Sequence, residues 1–404
     1  MLGAVTSCGH AAISAEEQAA RPFTVTPVAN FSSPFAMAFL TGSGRPLLDA
    51  ALVTEKEGKL WLVDTRTGAK TAVAGVPVVK AGGQGGLLDV VVAPSFPADQ
   101  RIYLTYSEPS RQGGSGLALA RARYVRSPSP HLEALEVVWR DPAGGEGGQF
   151  GGIVVFAPDG RSLFLSSGER QRFTPAQDPG QPLGKILHLT LDGKPAPGNP
   201  GGGKTGASAV TITDPPANTV DARTARGRKF AWPGPNLTPA QSWSSGHRNP
   251  YGLAFDAAGR LWETEMGPKG GDELNLIQPG RNYGWPEVSQ GQNYDDVPIP
   301  AHSTQPRFEP PKLDWVPSIS PSSLLIYSGA RFPQWRGNGL IGALSGEALI
   351  RVALDGEKAR KADKWLLGAR IRAVDEGPNG SVWLLEDGGR LLRLDPRHQP
   401  SARR

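Results

Sequence analysis

Two short polar stretches of the chain carry the residue types that could do chemistry. Residues 246–252 place Arg248 among turn-forming glycine and proline residues. After one apolar run, residues 265–275 place Gly267 and Pro268 directly before a pair of acids. An arginine fork binds planar carboxylates, and backbone carbonyls together with carboxylates are the ligands that calcium prefers. The two stretches therefore indicate a site for a hard cation and an anionic cofactor.

The two stretches belong to a series of segments that extends through most of the chain. In chain order, the other segments are residues 54–60, 83–90, 149–152, 168–170, 176–178, 183–185, 315–322 and 370–372. In this order the series resembles the soluble, pyrroloquinoline-quinone-dependent aldose (glucose/sorbosone) dehydrogenase family. The resemblance implies an oxidoreductase that uses pyrroloquinoline quinone (PQQ) with calcium to oxidise an aldose or related sugar alcohol by hydride transfer.

PQQ carries three carboxylates on a flat ring, so a pocket for it needs several cations. Arg248, Arg370 and Arg372 are the candidate cations. Because alternate residues of a strand point to the same face, Arg370 and Arg372 can converge on one ligand; the alternative for this pair is a solvated strand face. Asn249 and Gln84 match family positions that touch cofactor or substrate.

The same resemblance assigns calcium to the turn within the second stretch. The backbone carbonyls of Gly267 and Pro268 are the implied ligands, and an ion held there would polarise a quinone oxygen as a Lewis acid. Asp272 is expected either to support this loop behind the ion or only to cap it. Gln84 and Trp315 are the expected contacts of a small sugar substrate. The electrons would pass to an external acceptor.

Three positions depart from the family pattern. Gln149 stands where the family has the histidine that acts as general base on the sugar hydroxyl, and a glutamine amide cannot accept a proton near neutral pH. Ser345 replaces a cofactor-facing lysine, and Ser323 replaces a glycine. Glu169 matches the acid that orients the missing histidine; as a desolvated carboxylate it could itself be the base, or it could be purely structural. Together with Arg248, Gln149 and Glu169 are the candidate catalytic residues.

Composition excludes several other classes of function. The chain has 404 residues and a net charge of +5, but it lacks basic runs of the length that a nucleic-acid footprint needs. No stretch approaches the roughly 18 apolar residues of a membrane span. Cys8 is the only cysteine, and its context resembles the end of a bacterial lipoprotein signal. We expect an exported, periplasmic protein that contacts a membrane only through a lipid anchor at Cys8; the alternative is a free thiol on a disordered arm.

The glycine and proline content predicts an all-β fold. With 52 Gly and 38 Pro dispersed among apolar runs, the chain is too rich in turn-formers for a helical protein. Four segments share an apolar strand, a glycine turn and a second strand with an aromatic residue: residues 52–63, 153–165, 253–262 and 373–385. Their turns lie roughly 100 to 120 residues apart, which is about two propeller blades each. The spacing and the family resemblance both favour a six-bladed β-propeller of four-stranded antiparallel blades.

The domain organisation follows from this pattern. We assign residues 22–396 to one propeller domain, residues 1–21 to a signal remnant or disordered arm, and residues 397–404 to a disordered tail. Residues 195–228 and 290–313 are rich in Pro, Gly and Asp, and we predict long loops there that carry function on a rigid scaffold.

Two other functions compete with sugar oxidation. The departures at Gln149 and Ser345 also suit a catalytically silent propeller that binds carbohydrate or a protein partner. A metal-dependent lactonase on a similar propeller is the third alternative, but its site would need acid and amide side chains around calcium instead of a Gly-Pro carbonyl corner.

Overall fold

The computed structural model describes residues 13–40, 49–111, 113–214, 226–329 and 331–397. Six four-stranded antiparallel sheets dominate this part of the chain, and one separate two-stranded hairpin accompanies them. The predicted all-β fold, a six-bladed propeller of four-stranded antiparallel blades, is confirmed.

The first strand of the described chain, β1 (Phe23–Asn30), belongs to the last blade. Blade 1 consists of β2 (Pro34–Phe39), β3 (Ala50–Glu55), β4 (Lys59–Asp64) and β5 (Lys70–Val73). Blade 2 consists of β6 (Leu87–Val92), β7 (Arg101–Pro109), β8 (Ser115–Val125) and β9 (His131–Arg140). Blade 3 begins with β10 (Gly151–Phe156), β11 (Ser162–Ser167) and β12 (Lys185–Thr190).

Blade 3 is interrupted before its outermost strand. The hairpin of β13 (Ala209–Asp214) and β14 (Arg226–Ala231) comes between β12 and the outer strand β15 (Ser242–Ser245). The prediction that residues 195–228 form a plain loop is therefore wrong for this part. Four consecutive β-branched residues in Ala209–Asp214 are typical of a strand, which pairs once a second strand lies beside it.

The remaining blades follow one another without interruption. Blade 4 consists of β16 (Pro250–Phe255), β17 (Leu261–Glu265), β18 (Asp272–Ile277) and β19 (Leu313–Trp315). Blade 5 consists of β20 (Pro321–Ile326), β21 (Gly339–Ala343), β22 (Ala348–Asp355) and β23 (Lys358–Leu366). Blade 6 consists of β24 (Ile371–Glu376), β25 (Val382–Glu386), β26 (Arg390–Pro396) and β1.

Helical structure is limited to short segments. The helices are α1 (Ala15–Ala20), α2 (Phe96–Asp99) and α3 (Thr238–Gln241), and single 3-10 turns occur at Thr174–Gln177, His302–Thr304 and Pro333–Trp335. No helix in the described ranges has the length and apolar character needed to cross a membrane.

The predicted N-terminal arm is ordered in part. Its residues Ala15–Ala20 form α1 instead of a disordered segment, because Ser14 and Glu17 cap the backbone of the first turn reciprocally. Residues 1–12, with Cys8, and residues 398–404 lie outside the described part of the chain.

The predicted hairpins form where the glycine turns indicated. Residues 153–165, 253–262 and 373–385 connect the first and second strands of blades 3, 4 and 6, and residues 52–63 connect the second and third strands of blade 1. Gly160 has a φ of 68° and Gly380 a φ of 81°, the left-handed region that glycine adopts without a steric penalty.

The first strands of the six blades, β2, β6, β10, β16, β20 and β24, contact one another in a ring. They line a central channel of about 340 Å³. Because the first two strands of each blade are antiparallel, every first strand begins, and every second strand ends, at the same face of the propeller. We call this the front face.

Candidate active site

The predicted site residues gather at the front face because of where they stand relative to the strands. They lie just before first strands or just after second strands. Those before first strands are Gln84, Gln149, Arg248 and Arg370, and those after second strands are Glu169 and Gly267. Residues far apart in the sequence are therefore brought to one end of the ring.

Arg248 is fixed against the predicted calcium corner. Its backbone N–H donates to Oε2 of Glu265 at 2.5 Å. Its guanidinium Nη1 donates to the carbonyl oxygens of Met266 at 3.0 Å and Gly267 at 2.7 Å. The guanidinium carbon lies 5.2 Å from the ring centre of Trp285, within range of a cation–π contact. The guanidinium of Arg248 thus binds the carbonyl oxygen of Gly267, which is also a predicted calcium ligand.

Gln149 bridges Arg248 and Glu169. In the amide orientation that satisfies both neighbours, its nitrogen donates to Oε1 of Glu169 and its oxygen accepts from Nη2 of Arg248 at 2.8 Å. Its backbone has a φ of 54°, and its N–H donates to Oε1 of Gln84 at 2.8 Å. The amide that replaces the family's base therefore occupies the space between a cation and a carboxylate, where it orients both groups but accepts no proton.

Glu169 is fully buried behind Gln149. Its Oε2 accepts from the backbone N–H groups of Arg172, at 2.5 Å, and Phe173. Burial raises the pKa of Glu169, although the Arg248 charge and the backbone N–H groups act against that rise. Both of its oxygens are engaged, so the geometry makes Glu169 the anchor of the Gln149 amide. A role as the base itself would require substrate to reach past Gln149.

A cavity of about 270 Å³ opens beside these residues. It is lined by Phe35, Lys56, Gly83, Gln84, Tyr251, Met266, Ser320, Leu344, Arg370, Arg372 and Asp387. The rings of Phe35 and Tyr251 meet edge to face at 5.9 Å in its wall. Apolar walls with a few charged groups are usual for a cofactor pocket. A larger groove of about 1030 Å³ runs along the outer strand of blade 2, but it contains none of the predicted site residues.

The two arginines of the Arg-x-Arg pair converge as their spacing predicted, and they meet at an acid. Nε and Nη2 of Arg372 donate to Oδ1 of Asp387 at 2.9 and 2.6 Å, and Nε of Arg370 donates to its Oδ2 at 3.0 Å. Burial alone would raise the pKa of Asp387, but ion pairing and hydrogen bonding with Arg372 and Arg370 hold it below its ordinary value. The Asp387 carboxylate therefore fixes the positions of both the Arg370 and the Arg372 side chains at the cleft.

Sequence reasoning missed two charged residues of this cleft, Lys56 and Asp387. Each directly follows a second strand, Lys56 after β3 and Asp387 after β25, which is the position that Glu169 and Gly267 share. Their position directly after a second strand could have identified Lys56 and Asp387 as site residues. Across the described ranges, the Lys56 ammonium has neither a hydrogen bond nor an ion pair within 4.0 Å. It is therefore a cation at the cleft without a close acidic partner.

The Gly267 corner is shaped by its own backbone and by Asp272. A Cβ at position 267 would lie 2.3 Å from the carbonyl oxygen of Gly270, so no other residue fits there. Oδ1 of Asp272 accepts from the Gly267 N–H at 2.9 Å, and Oδ2 accepts from the N–H groups of Ile319 at 2.7 Å and Ser320 at 2.8 Å. Asp272 thus ties the corner to the start of blade 5, and whether it supports a calcium ion or only caps the loop stays a prediction.

Buried acids lie directly behind the corner. Glu263, Glu265 and Glu273 surround the amide nitrogen of Asn275 at 3.1 to 3.4 Å, and His247 bonds to Glu265 at 3.1 Å. Burial, with repulsion from Glu265, raises the pKa values of Glu263 and Glu273 well above the ordinary range. Ligand atoms of His247, Glu263 and Glu265 lie within 4.8 Å of one another. Of this cluster, Glu265 accepts from the backbone N–H of Arg248, and the raised pKa values favour the protonated, neutral forms of Glu263 and Glu273.

Two other predicted residues lie elsewhere. Trp315 is 7% exposed and packs in the core between blades 4 and 5, so its expected contact with substrate is wrong. Trp315 lies in the outer strand β19, which pairs with β18, and the neighbouring blade covers its apolar ring. Asn249 is 1% exposed, and its Oδ1 accepts from the Gly151 N–H at 3.3 Å. It joins blades 3 and 4 beneath the cleft.

Ser345 and Ser323 are neutral where the family pattern has lysine and glycine. Oγ of Ser345 lies 2.9 Å from Oγ of Ser320 and donates to the carbonyl of Ser318 at 3.2 Å, at the edge of the cleft. Ser323 lies in β20 and lines the central channel. Blade 5 therefore contributes no cation to the cleft lining.

Comparison with known proteins shows to which family the chain is similar. The family model described as Glucose / Sorbosone dehydrogenase matches residues 31–213 and 231–393. Aldose sugar dehydrogenase YliI of Escherichia coli is 35% identical over 373 residues, which are 90% of either chain. The crystal structure of the soluble aldose sugar dehydrogenase from Escherichia coli in its apo form has a TM-score of 0.78 at 34% identity, covering 93% of this chain and all of the other.

A relative with its cofactor bound has also been solved. The PQQ-bound aldose sugar dehydrogenase of Streptomyces coelicolor is 29% identical with a TM-score of 0.70, over 93% of this chain and 98% of the other. The family match spans most of the propeller, including every blade that contributes to the cleft. The chain belongs to the glucose/sorbosone dehydrogenase family.

Proposed function

We propose that this protein is a quinoprotein oxidoreductase that binds PQQ with calcium and oxidises an aldose or a related sugar alcohol. The observation that carries the proposal is the cationic cleft at the front face, which is lined by Arg370, Arg372 and Lys56. Beside it, Arg248 donates to the carbonyl of Gly267 and to that of Met266, which also lines the cavity. The PQQ-bound relative from Streptomyces coelicolor supports the choice of cofactor.

The residues of the cleft fit such a cofactor. A flat tricarboxylate needs cations around its rim and an apolar surface for its ring. Arg370, Arg372 and Lys56 supply the cations, and Phe35 and Tyr251 supply the apolar wall. These residues would hold the carboxylates through charge-assisted hydrogen bonds, which are about twice as strong as neutral ones.

The Gly267 corner fits a hard cation. Its backbone carbonyl oxygens, together with that of Pro268, are ligands of the kind that calcium takes, and Asp272 fixes their direction from behind.

When bound, the quinone would accept the hydride and calcium would polarise it, so the chemistry left to the protein is positioning and proton transfer. In this proposal Arg248 and Gln149 receive the substrate hydroxyl and hold it by hydrogen bonds. Neither side chain accepts a proton near pH 7. Because the site lacks a proton acceptor here, we expect slower turnover than in a family member that has histidine at this position.

Titration of the purified apoprotein with PQQ and calcium chloride, followed by aldose oxidation with an artificial electron acceptor, tests the proposal. We expect calcium-dependent quinone binding and slow, measurable turnover. Absence of quinone binding at any calcium concentration would overturn it. Binding without turnover of any sugar would favour the second candidate, a silent propeller, for which the observation is that Gln149 occupies the place of the base between Glu169 and Arg248.

We further propose export with a lipid anchor at Cys8, supported only by the sequence around that cysteine. Expression of the complete gene in a bacterial host with labelled palmitate should label the protein, and Cys8→Ala should remove the label while leaving the propeller folded. Unlabelled protein that remains in the cytosol would contradict both parts of the proposal.

A further inference from the structure

Tyr294 is an anomaly on the protein surface. At 56% exposed, it is the single aromatic side chain with such exposure across the ranges that the structure describes. Its hydroxyl lies 3.5 Å from Nη2 of Arg248, and the Arg248 guanidinium carbon lies 5.9 Å from its ring centre. The one strongly exposed aromatic ring therefore stands beside the cation of the candidate active site.

The loop that carries Tyr294 is tied to the Gly267 corner. Lys269 and Gln292 exchange backbone hydrogen bonds at 3.0 and 3.2 Å. Asn293 is 8% exposed, and both its backbone and its side-chain nitrogen donate to the carbonyl of Val297 at 3.1 Å. Lys269 also forms an ion pair with Asp296. These contacts close a compact turn, so the position of Tyr294 is set by the same loop that supplies the predicted calcium ligands.

We propose that Tyr294 is the platform on which the sugar ring stacks, an assignment that rests on the proposed oxidation of sugars. A pyranose presents hydroxyl groups at its rim and apolar C–H groups on its faces. A tyrosine ring offers a large apolar area at small entropic cost, with a hydroxyl at its edge for polar contact. A sugar stacked there would have its rim hydroxyls directed at the guanidinium of Arg248 and at the amide of Gln149.

Tyr294 can supply the aromatic contact with substrate that had been expected from Trp315. Trp315 is buried between blades, so the aromatic contact expected for the substrate has to come from another element. Tyr294 supplies it from the loop after β18. A single exposed apolar residue is ordinary on a protein surface; Tyr294 differs in that it lies against the active-site arginine.

Steady-state kinetics and quinone binding with Tyr294→Ala and Tyr294→Phe test the assignment. We expect Tyr294→Ala to raise KM for aldoses roughly tenfold with little change in kcat or in the dissociation constant of PQQ, because one stacking contact is lost. Tyr294→Phe keeps the ring and should retain most of the affinity. An unchanged KM in Tyr294→Ala would overturn the proposal, as would a fall in quinone affinity that matches the rise in KM.

The failure of this inference can be told apart from failure of the proposed function. If the native protein binds PQQ and oxidises no sugar, calorimetric titration of the quinone-loaded protein with a non-reacting sugar analogue still measures stacking. Weaker analogue binding by Tyr294→Ala than by the native chain would support the platform. Equal binding, or no binding by either, would overturn it.

Discussion

Gln149 decides whether this cleft can take a proton from a substrate. Its amide is held by Glu169 on one side and by Arg248 on the other, which is the position that a base with an orienting carboxylate would occupy. We expect Gln149→His to raise aldose turnover by about tenfold or more, because a positioned base contributes roughly 10²- to 10⁴-fold. The measurement is kcat of the protein reconstituted with PQQ and calcium.

The double variant Gln149→His with Glu169→Gln is the control for this gain. Without the carboxylate the imidazole loses its orienting partner, so most of the increase should disappear while quinone affinity stays the same. If the native protein already turns over fast and Glu169→Gln alone abolishes activity, Glu169 is the base and the roles assigned above are wrong.

Cofactor affinity should depend on the arginines of the cleft. We expect Arg372→Ala to weaken PQQ binding by more than about tenfold, because it loses a charge-assisted pair worth roughly 1.5 to 3 kcal/mol. Arg248→Ala should have a similar effect. Arg360→Ala, on the outer strand of blade 5, is the matched control, since among the described residues that guanidinium bonds to the carbonyl of Lys361 alone. Equal dissociation constants for all variants at saturating calcium would remove the proposed pocket.

At this scale, sequence pattern predicted the placement of the polar residues that precede first strands. The Arg370 and Arg372 pair converges as alternation requires, and Gln84 and Arg248 reach the same face. Asp387 and Lys56 escaped notice because each looks like an ordinary charged turn residue, and only the assembled ring brings blades 1 and 6 together. Trp315 was wrong because sequence pattern does not distinguish a ring facing a cleft from one facing a neighbouring blade.

At the scale of elements, closure of the propeller depends on a pairing that local sequence cannot reveal. Strand β1 pairs with β26 along its length, so Phe23 stands opposite Pro396 and the last blade is completed by the beginning of the described chain. Turn residues predict hairpins between neighbours, as they did for residues 153–165 and 373–385. No turn residue marks a contact between segments this far apart.

The side chain that fastens this closure is Phe23. It is 1% exposed, and its ring meets Trp335 at 6.0 Å and Trp365 at 5.5 Å, both edge to face. We expect Phe23→Ala to lower the free energy of unfolding by about 3 to 5 kcal/mol, as large-to-small changes in a packed core do. Unfolding in denaturant, followed by tryptophan fluorescence, measures the change.

The neighbouring position provides the control for that experiment. Thr24 is exposed on the opposite side of β1, and Thr24→Ala should change stability by less than about 1 kcal/mol. If both variants unfold at the same denaturant concentration as the native protein, β1 adds little to the closure of the ring.

At the scale of the whole molecule, six first strands enclose a channel that is lined by three acidic side chains, Asp89, Asp375 and Glu376. Asp89 from blade 2 and Asp375 from blade 6 both line it, beneath the cleft that holds Arg372. Burial raises the pKa of Asp89 to about 6. Burial, with a smaller contribution from the charge of Asp89, raises the pKa of Asp375 to about 7.

These carboxyls make stability depend on pH in a definite direction. The unfolded chain releases the Asp375 proton near its ordinary value of 3.8, whereas the folded chain keeps it to about pH 7. Between these values the folded state binds more protons than the unfolded state, so the contribution of Asp375 to stability falls as pH rises from about 4 to about 7 and is constant above that. The channel therefore stabilises the protonated, neutral form of Asp375 relative to its carboxylate.

Asp375→Asn should remove that decline, because an amide keeps the neutral form at every pH. We expect the variant to gain stability relative to the native protein by on the order of 1 kcal/mol or more between pH 4.5 and pH 8, measured by unfolding in denaturant. Asp355→Asn, at the exposed end of β22, is the control and should track the native protein. If Asp375→Asn and the native protein show the same slope with pH, Asp375 titrates as an ordinary carboxylate, and the first strands leave the channel open to water along its length.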